Sequence, residues 1–445
     1  MKYLLNIVYG FLLIALSPWL LYRAIIKKKN RRGWWAKLTG RIPIRQSAAP
    51  CIWLHAVSVG EVNLLRPLIA RLSQELPEYE FAVSTTTETG YDLACKIFGK
   101  HTVFFCPFDF SWAIQNVLHR LRPSLLVLAE LELWPNLISV TRARGIPVSL
   151  VNGRISQGSY ENYARFQWFW KPVLRRLSRL GVQNQDYGRR LTSLGVAEKK
   201  IQLTGSVKFD GANSDRGSRQ ITELSQLAGL RPEDTVFLAG STQAEEDEMA
   251  AEVYLRLREQ GSQLRLILVP RHVERSIKLK KDLIAKGLTV QLRSDLPSQP
   301  GTRVFEQCDV LVVDVIGELA SWWGVADIAF VGGTMGDRGG QNMIEPAAYG
   351  VPVCFGPHTW NFQDVVQLLL DRHAAQVICS AAELLEFVQA SIEQPQLAYQ
   401  MGLRGRQLVL QQRGAVERTV SMLKEILLQE PAQEVGSTSK EAAAA

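Results

Sequence analysis

The chain has 445 residues, 47% of them hydrophobic and 21% charged, which is the size of two or three domains of ordinary globular composition. That excludes a disordered, fibrous or polytopic membrane protein, and six cysteines without a CxxC pair exclude a zinc ribbon or a dense disulfide framework and suit a reducing compartment. The net charge of +8 sits in one place: residues 1–60 hold ten basic residues and no acid, while the other 385 carry 41 basic against 43 acidic residues. A nucleic-acid partner is not expected, because it would favour a basic face on a folded domain. A basic arm joined to an apolar segment points instead to anionic lipid.

In chain order, the apolar run Leu4 to Ile26 comes first. Its 23 residues would reach about 34 Å as a helix, enough for a bilayer core, though Asn6, Ser17, Pro18 and Arg23 interrupt it. The cluster Lys27–Arg32 follows directly, which places the rest of the chain on the cytoplasmic side. A cleaved signal peptide has the opposite order, with charge before the apolar run. Residues 1–45 are thus expected to form a retained anchor and arm, spanning the membrane or lying in its interface.

Two series of strands alternating with helices follow. The first has strands at 51–57, 81–85, 102–106, 125–130 and 146–151, and the second at 236–240, 264–270, 309–315, 327–333 and 351–355. Continuous apolar strands separated by helices predict parallel sheets covered on both faces, hence an α/β protein with two Rossmann-like domains. The polar, turn-rich stretch near 206–230 divides them, giving expected domains at 46–212 and 213–430 and a disordered tail at 431–445. Ligands are expected beyond the carboxyl ends of the strands, in a cleft between the two domains.

The residues at those strand ends are the candidates for chemistry. Strand 51–57 runs into Ser58-Val59-Gly60-Glu61, which reads as a capping box. The same position aims Glu61 at the ligand crevice, where a helix N-terminus would keep it ionised and able to accept a hydroxyl proton. Glu130 and Glu132, in AELELWPN, sit at the end of strand 125–130 and would bind polar groups of an acceptor or simply start a helix. Arg154 follows strand 146–151, and Lys208 lies at the domain junction, where each could meet a phosphate or merely be solvated. The aromatic stretch 166–172 reads as helix packing. In the second series Pro270-Arg271 ends one strand and Ile316-Gly317-Glu318 another; an arginine there can pair with phosphate. Most distinctive is the glycine-rich stretch 332–340, followed by Asn342-Met343-Ile344-Glu345 at a helix start. Its backbone N–H groups are expected to approach an anion, with Arg338 adding a cation and Glu345 holding ribose hydroxyls. The alternative is that the glycines only make turns. No His/Cys/Asp cluster has metal-ligand spacing, and neither a P-loop nor a GxSxG elbow occurs.

HAVSVGE, CPFDF, AELELWPNLI, NGRIS, GSVKFD, LVPRHVER, IGEL, ADIAFVGG and GGQNMIEPAAYGVPVCFGPHTWNF together resemble the 3-deoxy-D-manno-octulosonic acid (Kdo) transferases of lipid A biosynthesis. With the apolar-basic N-terminus, these stretches are spread over most of the chain. The resemblance implies a GT-B fold, an inner-membrane anchor facing the cytoplasm, CMP-Kdo as donor, a lipid A precursor as acceptor and no cofactor. It makes Glu61 the catalytic base and puts Pro270, Arg271, Ile316 to Glu318 and Asn342 to Glu345 on the CMP-binding segments. Ala129, Leu131 and Ile316 depart from the residues common in the family. They bear on pocket shape, not on reaction type. Another membrane-associated GT-B enzyme using a different sugar nucleotide, or a non-catalytic nucleotide-binding module, stays open from the sequence. On this reading the arm is a tether that raises the effective concentration of a bilayer-bound acceptor.

Overall fold

The computed structural model describes residues 5–11, 14–15, 32–296 and 304–429. They form two compact units, one of residues up to Asp210 together with those from Arg413 onward, the other Gly211–Gln412. Of the apolar run expected as the anchor, residues 4, 12–13 and 16–26 lie outside the described residues; 5–11 and 14–15 are helical. Among the described residues no helix is long and apolar enough to cross a membrane. The tail expected at 431–445 lies outside them altogether.

The first unit is built on seven parallel strands: β1 (Cys51–His55), β2 (Glu80–Thr85), β3 (Thr102–Phe105), β4 (Leu125–Ala129), β5 (Val148–Gly153), β6 (Arg179–Val182) and β7 (Ile201–Leu203). Their order is β3-β2-β1-β4-β5-β6-β7. The central strands are buried along their whole length, as both-face coverage by helices requires. The order reverses between β1 and β4, which makes their carboxyl ends the topological switch point where a ligand crevice forms. The helix Val59–Glu75 covers one face and buries Val62, Leu65, Ile69 and Leu72, spaced as one helical stripe.

The helix Ala415–Gln429 packs on that same face, contrary to the expectation that residues up to 430 belong to the second domain. The reason is local. Val416, Val420, Leu423 and Ile426 form an apolar stripe that enters the first core, at about 1.5–3 kcal/mol for each fully buried aliphatic side chain. Asp210 accepts from the Gly414 and Val416 N–H groups, and Lys424 pairs with Glu75 at 2.7 Å.

The second unit repeats the design with β8 (Thr235–Thr242), β9 (Leu264–Pro270), β10 (Val290–Leu292), β11 (Val310–Val312), β12 (Ile328–Val331), β13 (Val353–Phe355) and β14 (Ala375–Val377). The order β10-β11-β9-β8-β12-β13-β14 places its switch point between β8 and β12. The aromatic stretch at 166–172 is only partly packing: Trp170 stacks edge-on against Tyr163 at 4.8 Å, but Trp168 is 78% exposed.

Candidate active site

Glu61 stands where the first sheet reverses. The loop after β1 is braced by Thr85, Thr86 and Thr87, whose hydroxyls all donate to the Val57 carbonyl at 3.1–3.2 Å. Ser58 caps the helix Val59–Glu75 by accepting from the Glu61 N–H. The Glu61 carboxylate folds back over this turn. Its Oε2 accepts from Val57 N–H at 2.8 Å, and its Oε1 from Ser58 Oγ at 2.8 Å. The side chain is thus held in one orientation and is 8% exposed. Burial moves its pKa up from the ordinary glutamate value, and the Glu130 charge adds to this; the Val57 N–H and Ser58 hydroxyl oppose it. The helix N-terminus alone was expected to favour the ion, but desolvation outweighs it.

The companions of Glu61 come from the neighbouring strand ends. Glu130, directly after β4, adopts a left-handed backbone with φ of 55°, and Lys208 Nζ lies 4.0 Å from its Oε1. Lys208 sits in the turn Val207–Phe209, which Asn152 at the end of β5 holds by accepting from Val207 N–H at 3.1 Å. Glu132 accepts from the Trp134 indole N–H at 3.1 Å. Its pKa is pushed up to about 7, first by burial and then by the Glu61 charge. Arg154 follows β5 and is half-buried. The first unit therefore brings Glu61, Glu130 and Glu132 into one electrostatically linked group, with Lys208 beside it.

In the second unit a cavity of about 300 Å³ opens at the carboxyl ends of the strands, lined among others by Ser241, Arg271, Gly317, Trp323, Gln341, Asn342 and Glu345. Four of the residues singled out in the sequence, Arg271, Gly317, Asn342 and Glu345, meet there. Asn342 Nδ2 donates to Glu345 at 3.0 Å; burial raises the Glu345 pKa and that bond opposes the rise. Trp323 is 1% exposed, and its indole N–H, which makes no full hydrogen bond, acts on Glu345 in the same direction as Asn342.

Other candidates play different parts. Pro270 ends β9 and is buried, Met343 and Ile344 are core residues, and Ile316 is 83% exposed. Glu318 does not face the cavity with a free carboxylate. Arg293 holds it bidentately at 2.9 and 3.0 Å, and the Trp322 indole donates to it at 3.1 Å.

The glycine-rich loop departs most from expectation. Its first N–H groups are already occupied by a carboxylate of the protein itself. Glu246, 1% exposed, accepts from Gly333 N–H at 2.7 Å, Thr334 N–H at 2.9 Å and Met335 N–H at 3.0 Å. It also accepts from Gln243 N–H at 2.7 Å, closing a capping box at the start of the helix Ala244–Glu259. Gly332 is needed because a Cβ there would come within 2.6 Å of the Thr242 backbone. Arg338 is exposed. The anion-binding geometry foreseen for this loop is present, but the seat is taken from within the fold. Sequence reasoning passed over Glu246, although Gln243-x-x-Glu246 after an apolar strand is the signal that marks it. It also passed over Ser241, whose φ of 57° turns the chain at the end of β8 toward the cavity.

Comparison with known proteins shows the family and the fold. The family model described as 3-Deoxy-D-manno-octulosonic-acid transferase (kdotransferase) matches residues 29–211. A 3-deoxy-D-manno-octulosonic acid transferase of Haemophilus influenzae is 32% identical over 84% of this chain and 87% of its own length. One from Chlamydophila psittaci is 31% identical over 92% of each chain. The chain belongs to the 3-deoxy-D-manno-octulosonic acid transferase family. It is a glycosyltransferase. MurG of Acinetobacter baumannii, 13% identical with a TM-score of 0.54 over 84% of this chain and 99% of its own, shows that the fold is the GT-B fold of glycosyltransferases. Among the described residues of the transferase, no group of three or more His, Cys, Asp or Glu is arranged to hold a metal ion.

Proposed function

We propose that this transferase moves Kdo from CMP-Kdo to the 6′ hydroxyl of a glucosamine disaccharide in a lipid A precursor, with inversion at the anomeric carbon. The observation that carries the reading is the convergence of Arg271, Asn342 and Glu345 on one cavity of about 300 Å³, the right size class for a nucleotide-sized ligand. Glu345 and Asn342 would hold the ribose. Arg271, with the Ser241 turn, would face the phosphate.

In the reaction the acceptor hydroxyl gives its proton to Glu61, and its oxygen attacks the anomeric carbon of Kdo. The bond from that carbon to the phosphate oxygen breaks, and CMP leaves. The transition state resembles an oxocarbenium ion, with negative charge growing on the departing phosphate. Arg271 stabilises that charge in place before the reaction begins, which is where fixed electrostatics contribute most. Glu130 and Glu132 bind the polar groups of the acceptor, and Lys208 and Arg154 support them or meet an acceptor phosphate. The leaving group carries one phosphate, which needs a metal less than a diphosphate does.

The test is product analysis. Purified protein given CMP-Kdo generated in situ and a tetra-acylated lipid A precursor is expected to add Kdo to the precursor, as read by mass spectrometry, and to leave UDP-sugars unused. Transfer from a UDP-sugar in preference to CMP-Kdo would overturn the reading of the donor.

Residues 4–26 and the lysines that follow are proposed to hold the enzyme at the cytoplasmic face of the inner membrane, through burial of apolar surface and attraction to anionic lipid. Deleting residues 1–28 is expected to weaken association with anionic vesicles in a flotation assay. Equal flotation of the shortened and full chains rules the anchor out.

A further inference from the structure

Asn6 is a polar interruption in the apolar N-terminal run, and a membrane segment alone has no use for it. The structure shows what it touches. Asn6 Nδ2 donates to Ser111 Oγ at 2.6 Å, and Asn6 Oδ1 accepts from Ser111 N–H at 3.0 Å and from Asn136 Nδ2 at 3.2 Å. Three residues on, the Tyr9 hydroxyl donates to Asp109 Oδ2 at 3.1 Å, and its ring meets Phe110 edge-on at 6.0 Å.

Asp109, Ser111 and Asn136 are all buried. Asp109 accepts from the N–H groups of Asn136 and Leu137 at 3.0 and 2.8 Å, and so caps the helix Pro135–Ala143. Asn136 is fastened a second time, its Nδ2 donating to the Asp109 carbonyl at 2.6 Å. This helix start is the far end of the loop that begins at Glu130. Between the carboxylate of Glu132 and the clamped Asn136 lie only Leu133, Trp134 and Pro135. Pro135 fixes its own φ, and Trp134 is bonded to Glu132. The N-terminal segment therefore contacts the anchorage of the Glu130–Glu132 loop itself.

We infer that Asn6, with Tyr9, is a positioning residue for the acceptor: the N-terminal segment is a fitted part of the first unit that pins the Glu130–Asn136 loop, and not only a tether. The inference rests on the reading that this loop binds the acceptor. It reverses one consequence of the tether picture, in which the segment matters only when the acceptor sits in a bilayer.

The experiment uses the full chain with Asn6→Ala and, separately, Tyr9→Phe, assayed on acceptor dispersed in detergent so that membrane attachment has no part. Expected for Asn6→Ala is a rise in acceptor KM or a fall in turnover of roughly tenfold, the scale on which sub-ångström misplacement of binding groups acts. The KM for CMP-Kdo and vesicle flotation are expected to stay at wild-type values. Tyr9→Phe, which keeps the ring and loses one hydrogen bond, should show a smaller effect in the same direction. Wild-type acceptor kinetics in both variants on dispersed acceptor would overturn the inference. Equal losses in donor and acceptor KM would also overturn it, as they indicate general destabilisation. If the unmodified chain transfers no Kdo at all, it is the proposed function that fails, and the two failures are told apart by that control.

Discussion

Glu61→Gln is expected to lower turnover by about 10²- to 10⁴-fold, the usual contribution of a positioned general base, while CMP-Kdo affinity stays unchanged. Glutamine has the same size, and Ser58 still caps the helix through the residue 61 N–H, so the local fold survives. What disappears is a group able to take the hydroxyl proton. The pH profile offers an independent reading. Burial raises the Glu61 pKa, and only the ionised form accepts a proton. Activity is therefore expected to climb with pH through a limb placed above the ordinary glutamate range, then level off. Glu132, pushed up to about 7 largely by burial and by the Glu61 charge, titrates on the same side, so the limb should be broader than that of one isolated carboxyl. Should Glu61→Ala keep near-wild-type turnover and merely melt at lower temperature, the capping box is all that Glu61 serves.

The second large effect is expected at Glu246, far in sequence from every residue of the donor cavity except Ser241. Its carboxylate ties the start of the helix Ala244–Glu259 to the loop after β12, across the switch point of the second sheet. Glu246→Ala strands four N–H groups that this carboxylate now satisfies. A buried unsatisfied group costs about 1–3 kcal/mol, so a loss on the order of 3 kcal/mol or more is expected, read as a fall in Tm. Glu246→Gln separates stability from site geometry. The amide keeps one acceptor oxygen but turns an NH₂ group toward N–H donors, which should shift the loop leading to Gln341, Asn342 and Glu345. CMP titration is expected to show at least about tenfold weaker binding, the equivalent of one lost hydrogen bond of roughly 1.4 kcal/mol. Wild-type CMP affinity in Glu246→Gln would show that the donor residues hold their places without this latch.

The α/β character and both series of strands are legible because buried parallel strands are written as unbroken apolar runs, such as CIWLH and LRLILVP. The edge strands β7, β10 and β14, and β6 beside the edge, are not. RLGV, IQL, VQL and AQV are three or four residues long and carry polar side chains at sheet margins, where periodicity has too little length to register. The return of Ala415–Gln429 to the first unit was also hidden, since an amphipathic stripe states that a core exists and not which of two cores it fills.

The candidate site divides in the same way. Glu61, Arg271, Asn342 and Glu345 could be singled out as candidates because each sits at a strand tip or helix start, a position that local sequence encodes. The surroundings of Glu318 and of the glycine loop are not legible in the sequence, because their partners, Arg293 and Glu246, are distant in sequence. A carboxylate at a helix start looks the same whether it faces a ligand or an arginine. A run of glycines looks the same whether its N–H groups await a phosphate or already hold a side chain.

The most direct measurement is paired, on one preparation of the Glu61→Gln enzyme: the affinity for CMP-Kdo by titration, and the rate of a single turnover after the donor is loaded and acceptor is added. Expected are wild-type affinity and a rate reduced by at least about a hundredfold. Glutamine at that position supporting Kdo transfer at the unmodified rate would contradict the assignment of the proton to Glu61.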